Sequence, residues 1–241
     1  MIFVIFYKNY SFPKDKRTWY ILIVAGILNN AVPFFLISWG QQYIDSSTAA
    51  IMLSCGPFIA LVLSHYTTQD EKFSIYKLIS VALGFIGVFI LVGGNIVNQN
   101  VDAIYGQLAV LLATIGYISA GLLIRKLRHI NVVICSTSMF LTATIVMLPF
   151  VSVYEIINVD FSGNSALTIV YLAIFPTAIA SLVRVQLVQR VGVQFMSQVA
   201  YLIPIFAIFW AWIFLSELPT ANAWIALFLI LLGLVIRRVK E

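Results

Sequence analysis

Polar side chains that could contact a solute stand inside long apolar runs of this sequence. Asn29 and Asn30 are adjacent amides in the run 19–41, and Arg184 is an ionisable residue well inside the run 166–188. Amide groups in such a setting hydrogen-bond either a solute or a neighbouring helix, because an unsatisfied polar group is costly in apolar surroundings. A guanidinium there either binds an anionic group or extends its long side chain to a more polar boundary.

The candidate solute-binding set consists of polar or helix-bending residues inside apolar runs. Its members are Asn29, Asn30, Ser54, Pro57, Thr114, Tyr117, Thr177, Ser181, Arg184, Gln198, Tyr201 and Pro204. For the hydroxyl and amide groups, hydrogen bonding between helices is the alternative to lining a cavity, and the sequence leaves both open. For Arg184 the alternatives are an anion-binding group and an anchor at the headgroups.

Two of these candidates are prolines, Pro57 and Pro204, which lie 147 positions apart. A proline inside a helix removes a backbone donor and bends the axis, and neighbouring helices can satisfy the carbonyl that it frees. The carbonyls freed here are predicted to be those of Leu53 and Ala200. The pair predicts two kinked helices that face a central cavity, with a packing kink as the alternative.

Other reactive residue types do not form a recognisable catalytic pattern. His65 and His129 have no cysteine or carboxylate at metal-ligand spacing, and the sequence contains no P-loop, HExxH or G-x-S-x-G motif. Glu71 and Glu217 lie at loop ends, three residues before a Ser or Thr that can cap the next helix. We therefore predict structural carboxylates, no metal site, no cofactor and no enzymatic activity.

The composition identifies the environment of the chain as a lipid bilayer. Of 241 residues, 62% are hydrophobic and 10% are charged, whereas a soluble domain carries roughly 25% charged residues. Apolar runs of the roughly 20 residues needed to cross a bilayer occur eight times, at 19–41, 48–66, 74–94, 105–124, 130–153, 166–188, 193–215 and 221–237. The sequence thus predicts an all-α integral membrane protein with about eight membrane helices.

The basic residues predict how the chain is oriented. With eight crossings and a cytoplasmic N-terminus, all 14 Lys and Arg residues lie on or near one face, as expected because short basic loops stay in the cytoplasm. The prediction is a multi-pass protein of the plasma (cell inner) membrane with both termini in the cytoplasm. The net charge of +5 is scattered over membrane-edge loops, which argues against nucleic acid as a partner.

An internal repeat emerges when the chain is shifted along itself by 147 positions. The segment "QYIDSSTAAIMLSCGPFIA" (42–60) then aligns with "QRVGVQFMSQVAYLIPIFA" (189–207). After a one-residue adjustment, Glu71 aligns with Glu217 and Gly87 with Gly233. Since the two proline helices would cross the membrane in opposite directions, the repeat predicts two inverted halves, 1–94 and 105–237, as in many transporters.

The two predicted halves are unequal, with three spans in the first and five in the second. Inverted adjacent halves need an odd and equal number of spans, so the first half is expected to lack its first helix and most of its second. The opening "MIFVIFY" is then the end of a truncated helix, with a signal-peptide remnant as the alternative.

Two stretches, residues 25–94 ("AGILNNAVPFF…GVFILVGG") and 171–236 ("YLAIFPTAIAS…LLGLVI"), resemble the EamA-type members of the drug/metabolite transporter superfamily, with Pro57 and Pro204 among the landmarks. The resemblance extends over nearly the whole chain. It implies two EamA-like repeats in a ten-helix pattern, a central cavity, and transport of a small metabolite or drug-like solute, with export as the commoner direction.

With aromatic residues at 14% and no carboxylate inside a span, we expect an amphipathic substrate such as an amino acid or a related compound. Homo-oligomerisation is possible. The alternatives to a carrier are a non-transporting truncated or accessory membrane protein and, less favoured, an intramembrane enzyme that acts on lipid.

Overall fold

The computed structural model describes residues 1, 5, 8–44, 46–69, 71, 73–92, 101–150, 163–202, 206, 209, 213 and 221–240. In these residues the regular structure is helical. Helix α1 (Lys16–Gly40) contains a π-helical turn, Ile27–Ala31. The helices that follow are α2 (Ser46–Ser54), α3 (Gly56–Thr67), α4 (Ile75–Val92), α5 (Val101–Lys126) and α6 (Val132–Met147). Helix α7 joins Gly163–Leu172, a π-helical segment Ala173–Ile179 and Ala180–Val191, and α8 (Val193–Ser197) and α9 (Ala221–Lys240) complete the order.

Five helical stretches of the described chain are long and apolar enough to cross a membrane. They are Lys16–Gly40, Thr48–Thr67, Asp102–Lys126, Val132–Phe150 and Ser165–Val191. Shorter apolar helices lie at Ile75–Ile90 and Trp224–Gly233, where two further spans are predicted. The all-α membrane fold is thereby confirmed, and ten of the 23 residues of the predicted span 193–215 fall outside the described residues.

Polar caps fix where two of these helices begin. Asp15 Oδ2 accepts a hydrogen bond from the Thr18 backbone N–H at 2.7 Å, and Asn131 Oδ1 accepts one from the Val133 N–H at 2.9 Å. Both bonds satisfy donors that the first turn of a helix leaves free. The hydrogen bonds from the Thr18 side chain and backbone hold the pKa of the Asp15 carboxyl below its usual range.

The chain forms two compact units, and each unit draws on both halves of the sequence. The first comprises residues 1–32 and 120–192, and the second comprises 33–119 and 193–241. Helices α1 and α5 each contribute one part to each unit. The division into sequence repeats 1–94 and 105–237 concerns the internal similarity of the sequence and stays a prediction.

The first unit is held together by close packing against α6. The first part of α1, its π-helical turn and the last part of α7 all pack on α6. A Cβ atom on Gly26 would lie 2.7 Å from the Met139 carbonyl oxygen, so only glycine permits this approach of backbone to backbone. Gln189 Nε2 donates to the carbonyl oxygens of Leu127 and Ile130, at 2.9 and 3.3 Å, and ties the end of α7 to the α5–α6 turn.

In the second unit, α1 crosses α5 where a glycine lies on each helix. A Cβ atom on Gly40 would lie 2.8 Å from the Gly106 carbonyl oxygen, and a Cβ atom on Gly106 would lie 2.8 Å from the Gly40 carbonyl oxygen. Small residues allow this closeness in membranes, where packing rather than hydrophobic burial drives helix association. Ile44, Ala49, Ala103 and Val110 form a buried apolar cluster in the same unit.

Helices α4 and α9 make the most extensive helix–helix contact of the second unit. Cβ atoms on Gly87 and Gly233 would each meet the opposite backbone, at 3.0 Å from the Ala226 oxygen and 2.7 Å from the Ser80 oxygen respectively. Glycine at these two positions therefore lets the backbones of α4 and α9 come into direct contact.

The contact between α4 and α9 is reciprocal. Gly87 meets Ala226, Leu229 and Ile230, whereas Gly233 meets Ser80, Leu83 and Gly84. Each residue in the second set precedes its counterpart in the first by 146 positions, which is also the separation of Gly87 and Gly233. The internal repeat of the sequence therefore reappears in the packing of the helices.

Candidate functional site

Two π-helical turns interrupt helices of the first unit near the middle of their spans. One is Ile27–Ala31 within Lys16–Gly40, and the other is Ala173–Ile179 within Ser165–Val191. A shift of 147 positions places the first at 174–178, inside the second. Such turns are rare and occur frequently at functional sites. Their presence at repeat-related positions with different sequences, ILNNA and IFPTA, indicates that the backbone shape rather than the side chains is shared.

The first π-helical turn carries the two asparagines of the candidate set. Asn29 Nδ2 donates to Asn30 Oδ1 at 3.0 Å, and both side chains are buried beside α6. Asn29 Oδ1 and Asn30 Nδ2 have no hydrogen-bond partner among the described residues, and the two residues are 4% and 5% exposed. Since an unpaired buried polar atom costs roughly 1–3 kcal/mol, the turn offers one acceptor and one donor to a polar molecule.

The second π-helical turn satisfies its polar groups internally. Pro176 lacks an N–H, and the neighbouring Thr177 Oγ1 donates to the Leu172 carbonyl oxygen at 2.9 Å. Ser181 and Arg184 follow in the next turns, both partly exposed. The bond from Thr177 to Leu172 stays within one helix, and the role of Thr177 toward a solute stays a prediction, as do the roles of Ser181 and Arg184.

Pro57 lies in the second unit, directly after the break that separates α2 from α3 at Cys55. Thr114 Oγ1 on α5 approaches the Met52 carbonyl oxygen at 3.5 Å, and the Cys55 N–H donates to the same oxygen at 3.2 Å. The helix is interrupted at Cys55, two residues ahead of Pro57, and the carbonyl approached from another helix is that of Met52. The predicted release of the Leu53 carbonyl and the predicted cavity-facing kink stay predictions.

Ser54 and Thr114 also bond within their own helices. Ser54 Oγ donates to the Ala50 carbonyl oxygen at 2.7 Å, and Thr114 Oγ1 donates to the Val110 carbonyl oxygen at 2.9 Å. Tyr117, one turn after Thr114 on α5, is partly exposed. Hydroxyls that bond one turn back often bend a helix, so the Ser54 bond supports a bend at the break between α2 and α3.

Gln198 and Tyr201 pack against α4. Gln198 Nε2 donates to Ser80 Oγ at 3.2 Å, and the Tyr201 hydroxyl donates to the Val81 carbonyl oxygen at 3.0 Å. A Cβ atom on Gly84 would overlap the ring of Tyr201, so glycine makes room for the aromatic side chain. Gln198 Oε1 is buried and has no hydrogen-bond partner within the part of the chain that the structure describes. Pro204, the last candidate, lies outside the described residues.

Glu71 has a contact that the sequence did not predict. Its Oε1 accepts a hydrogen bond from the backbone N–H of Gln194 at 3.2 Å, in the first turn of α8. The predicted structural role is right in kind, but the capped helix is α8, which lies 123 positions away, rather than α4. Glu217, its predicted counterpart, lies outside the described residues.

Three consecutive hydroxyl residues near the start of α6 are deeply buried. The exposed fractions of Ser136, Thr137 and Ser138 are 0%, 2% and 1%. Parts of α1 and α7 pack on α6. Length and hydropathy do not predict such enclosure, because it depends on which helices meet.

Comparison with known proteins identifies the family. The sequence profile of the EamA-like transporter family matches residues 1–93 and 104–237. This chain belongs to that family. EamA-like membership makes it a multi-pass membrane transporter by class, in contact with the lipid bilayer through its apolar helices.

Individual relatives agree with this assignment. "Uncharacterized transporter YoaV" of Bacillus subtilis is 21% identical over 229 residues, which are 94% of this chain and 77% of the relative. "Uncharacterized transporter YdfC" of the same organism is 25% identical over 203 residues, which are 83% of this chain but 64% of the relative. A solved crystal structure with 18% identity superposes with a TM-score of 0.76 over 91% of this chain and 78% of the other, and so shares the fold.

Proposed function

We propose that this EamA-like protein carries a small polar or amphipathic solute across the plasma membrane by alternating access, with export as the direction. The observation that carries this proposal is the buried pair Asn29 and Asn30 in a π-helical turn near the middle of a membrane span. Interrupted helices near the bilayer midplane are where many carriers bind their substrates. The export direction rests on the family resemblance.

The unpaired atoms of the asparagine pair indicate the chemistry of the solute. One free carbonyl oxygen and one free amide N–H match a group that both donates and accepts, such as an amino acid, a carboxamide or a hydroxylated compound. Such a group restores both hydrogen bonds, whereas a purely apolar solute leaves both unmade. We therefore favour an amino acid or related compound, with no catalytic step and no nucleic-acid partner.

The repeat supports the alternating-access part of the proposal. Inverted repeats let one arrangement of helices open to either side of a site between them. The reciprocal contact of Gly87 and Gly233 supports an inverted relation between α4 and α9. If the two halves are related in this inverted way, the inward-facing and outward-facing forms of the carrier have similar structures, with the halves exchanging roles.

Orientation in the membrane is tested by thiol labelling of intact cells. We expect a cysteine at Gln41 to react with an impermeant maleimide from outside, whereas a cysteine at Lys14 or Lys126 should react only after lysis, because basic loops remain in the cytoplasm. Gln41 and Lys126 are exposed at helix ends, so accessibility reports the side of the membrane. Labelling of Lys126→Cys in intact cells would contradict the proposed orientation.

The carrier function is tested in reconstituted vesicles. Purified protein should accelerate the release of preloaded amino acids and related amphipathic solutes, with saturation at high concentration, relative to vesicles without protein. The panel includes carboxamides, which both donate and accept hydrogen bonds, and apolar aromatic compounds, which do neither, so that it shows which of these properties a substrate needs. Folded, correctly inserted protein that moves no member of the panel would support an accessory rather than a transporting role.

A further inference from the structure

We propose that Glu71 is a latch that joins the two sequence halves at one end of the second unit and must release when that end opens. The proposal builds on alternating access, but it concerns a contact that the substrate site does not include. Glu71 lies just after α3 in the first half of the sequence, and its partner Gln194 lies at the start of α8 in the second half.

The loop that carries Glu71 is held in place by its own hydrogen bonds. Thr68 Oγ1 donates to the Ser64 carbonyl oxygen at 2.7 Å and lies 3.3 Å from the Glu71 backbone nitrogen, which donates to it. Ser64 Oγ donates to the Glu71 carbonyl oxygen at 3.4 Å. These contacts fix the backbone of Glu71 and thereby direct its side chain.

The carboxylate reaches a backbone donor that suits it. The Gln194 N–H belongs to the first turn of a helix, where donors lack intrahelical partners and the helix dipole favours negative charge. Glu71 is 6% exposed and Gln194 is 1% exposed, so water competes weakly for the bond. Helix α8 also packs against α3, which brings the two sequence halves into contact at this point.

A bond in this place affects more than local stability. Helix α8 leads directly into Gln198 and Tyr201, which contact α4. While Glu71 holds the first turn of α8, the segments from the two halves stay together at this end. Alternating access requires such segments to separate when the end opens, so loss of the bond should favour the open form.

Thiol accessibility beside the bond measures this opening directly. Val193, 2% exposed and adjacent to Gln194, is replaced by cysteine in a chain with Cys55 and Cys135 changed to alanine. Glu71→Ala should then raise the rate of maleimide labelling about ten- to a hundredfold, the scale of a hydrogen bond to a charged group. Glu71→Gln keeps an acceptor oxygen and should raise the rate less.

The matched control is Asp102→Ala, which removes an exposed carboxylate from the first turn of α5 and should leave the labelling rate unchanged. Equal labelling in Glu71→Ala and the parent would overturn the latch, even if the thermal midpoint falls, since that pattern describes a cap alone. If Glu71→Ala does not fold, Glu71→Gln decides: labelling at the parent rate overturns the proposal.

The donor can be removed independently. Gln194→Pro deletes the N–H in the first helical turn, where proline is tolerated, and Gln194→Ala keeps it. In vesicles, Gln194→Pro and Glu71→Ala should change the transport rate in the same direction, and the double variant should add little, because both break one bond. Additive effects would overturn the proposal. The labelling result stands even when no solute is moved, so failure of the latch and of the carrier function are distinguishable.

Discussion

Replacement of Asn30 by leucine is expected to reduce transport about ten- to a hundredfold while the protein still inserts and folds. Leucine is similar in size to asparagine, but it removes the acceptor of the 3.0 Å bond from Asn29 Nδ2 and the unpaired Nδ2 of Asn30. The Asn29 amide is then left buried with neither group paired, and the solute loses a donor. An unmade buried hydrogen bond costs roughly 1–3 kcal/mol, which gives the expected range.

The measurement is the half-saturation concentration and maximal rate of release from reconstituted vesicles. Asn30→Gln keeps the amide on a longer stem and should recover part of the activity. Gln41→Leu, which changes an exposed polar residue at a helix end to the same apolar one, should behave as wild type. Wild-type kinetics in Asn30→Leu would show that the pair only links helices, and would remove it from the substrate site.

Gly106→Leu should nearly abolish the recovery of folded protein. A Cβ atom at this position lies 2.8 Å from the Gly40 carbonyl oxygen and 3.0 Å from Ile44 Cγ2, and backbone cannot move aside as a flexible side chain can. Overpacking usually costs about 1–3 kcal/mol and occasionally more, and here the additional atoms would force α1 and α5 apart. The expected result is low yield of monodisperse protein and a lowered thermal midpoint in detergent.

Gly163→Leu is the matched control, because no atom of the described residues outside its own helical turn lies within 4 Å of a Cβ atom placed on Gly163. It begins α7 and should be recovered in parental amounts. A normal yield of Gly106→Leu would mean that the crossing at Gly40 is looser than the structure shows. Comparable losses in both variants would point to a general intolerance of leucine rather than to this contact.

The sequence predicts those parts of the fold that depend on chain composition and order. Apolar length predicts the spans, because the bilayer thickness sets a minimum. The alignment of Gly87 with Gly233 also marks the two glycines at the α4–α9 contact. In an inverted repeat, each of two corresponding residues tends to touch the neighbours of the other. That signal is present in the sequence, although identity between the halves is low.

The π-helical turns and the Glu71 contact could not be predicted in the same way. ILNNA and IFPTA share no residue type beyond an initial Ile and a final Ala, so the common turn depends on the surrounding helices. Glu71 resembles a local cap in sequence, whereas its actual partner is selected by the packing of α8 on α3. The approach of Thr114 to the Met52 carbonyl oxygen likewise depends on how α5 packs beside the break between α2 and α3.

The reciprocity of Gly87 and Gly233 has a consequence for the origin of the protein. In a symmetric homodimer, the same surface patch of both subunits forms the interface. A chain one repeat long could therefore pair through this face with a second copy of itself inserted in the opposite orientation. Fusion of the two copies into one chain lets each copy diverge, because a substitution in one repeat no longer appears in the other repeat as well. The contrast between the polar Asn29–Asn30 pair and its counterpart Pro176–Thr177 is a divergence that a homodimer of identical chains cannot accumulate and a single chain with two repeats can.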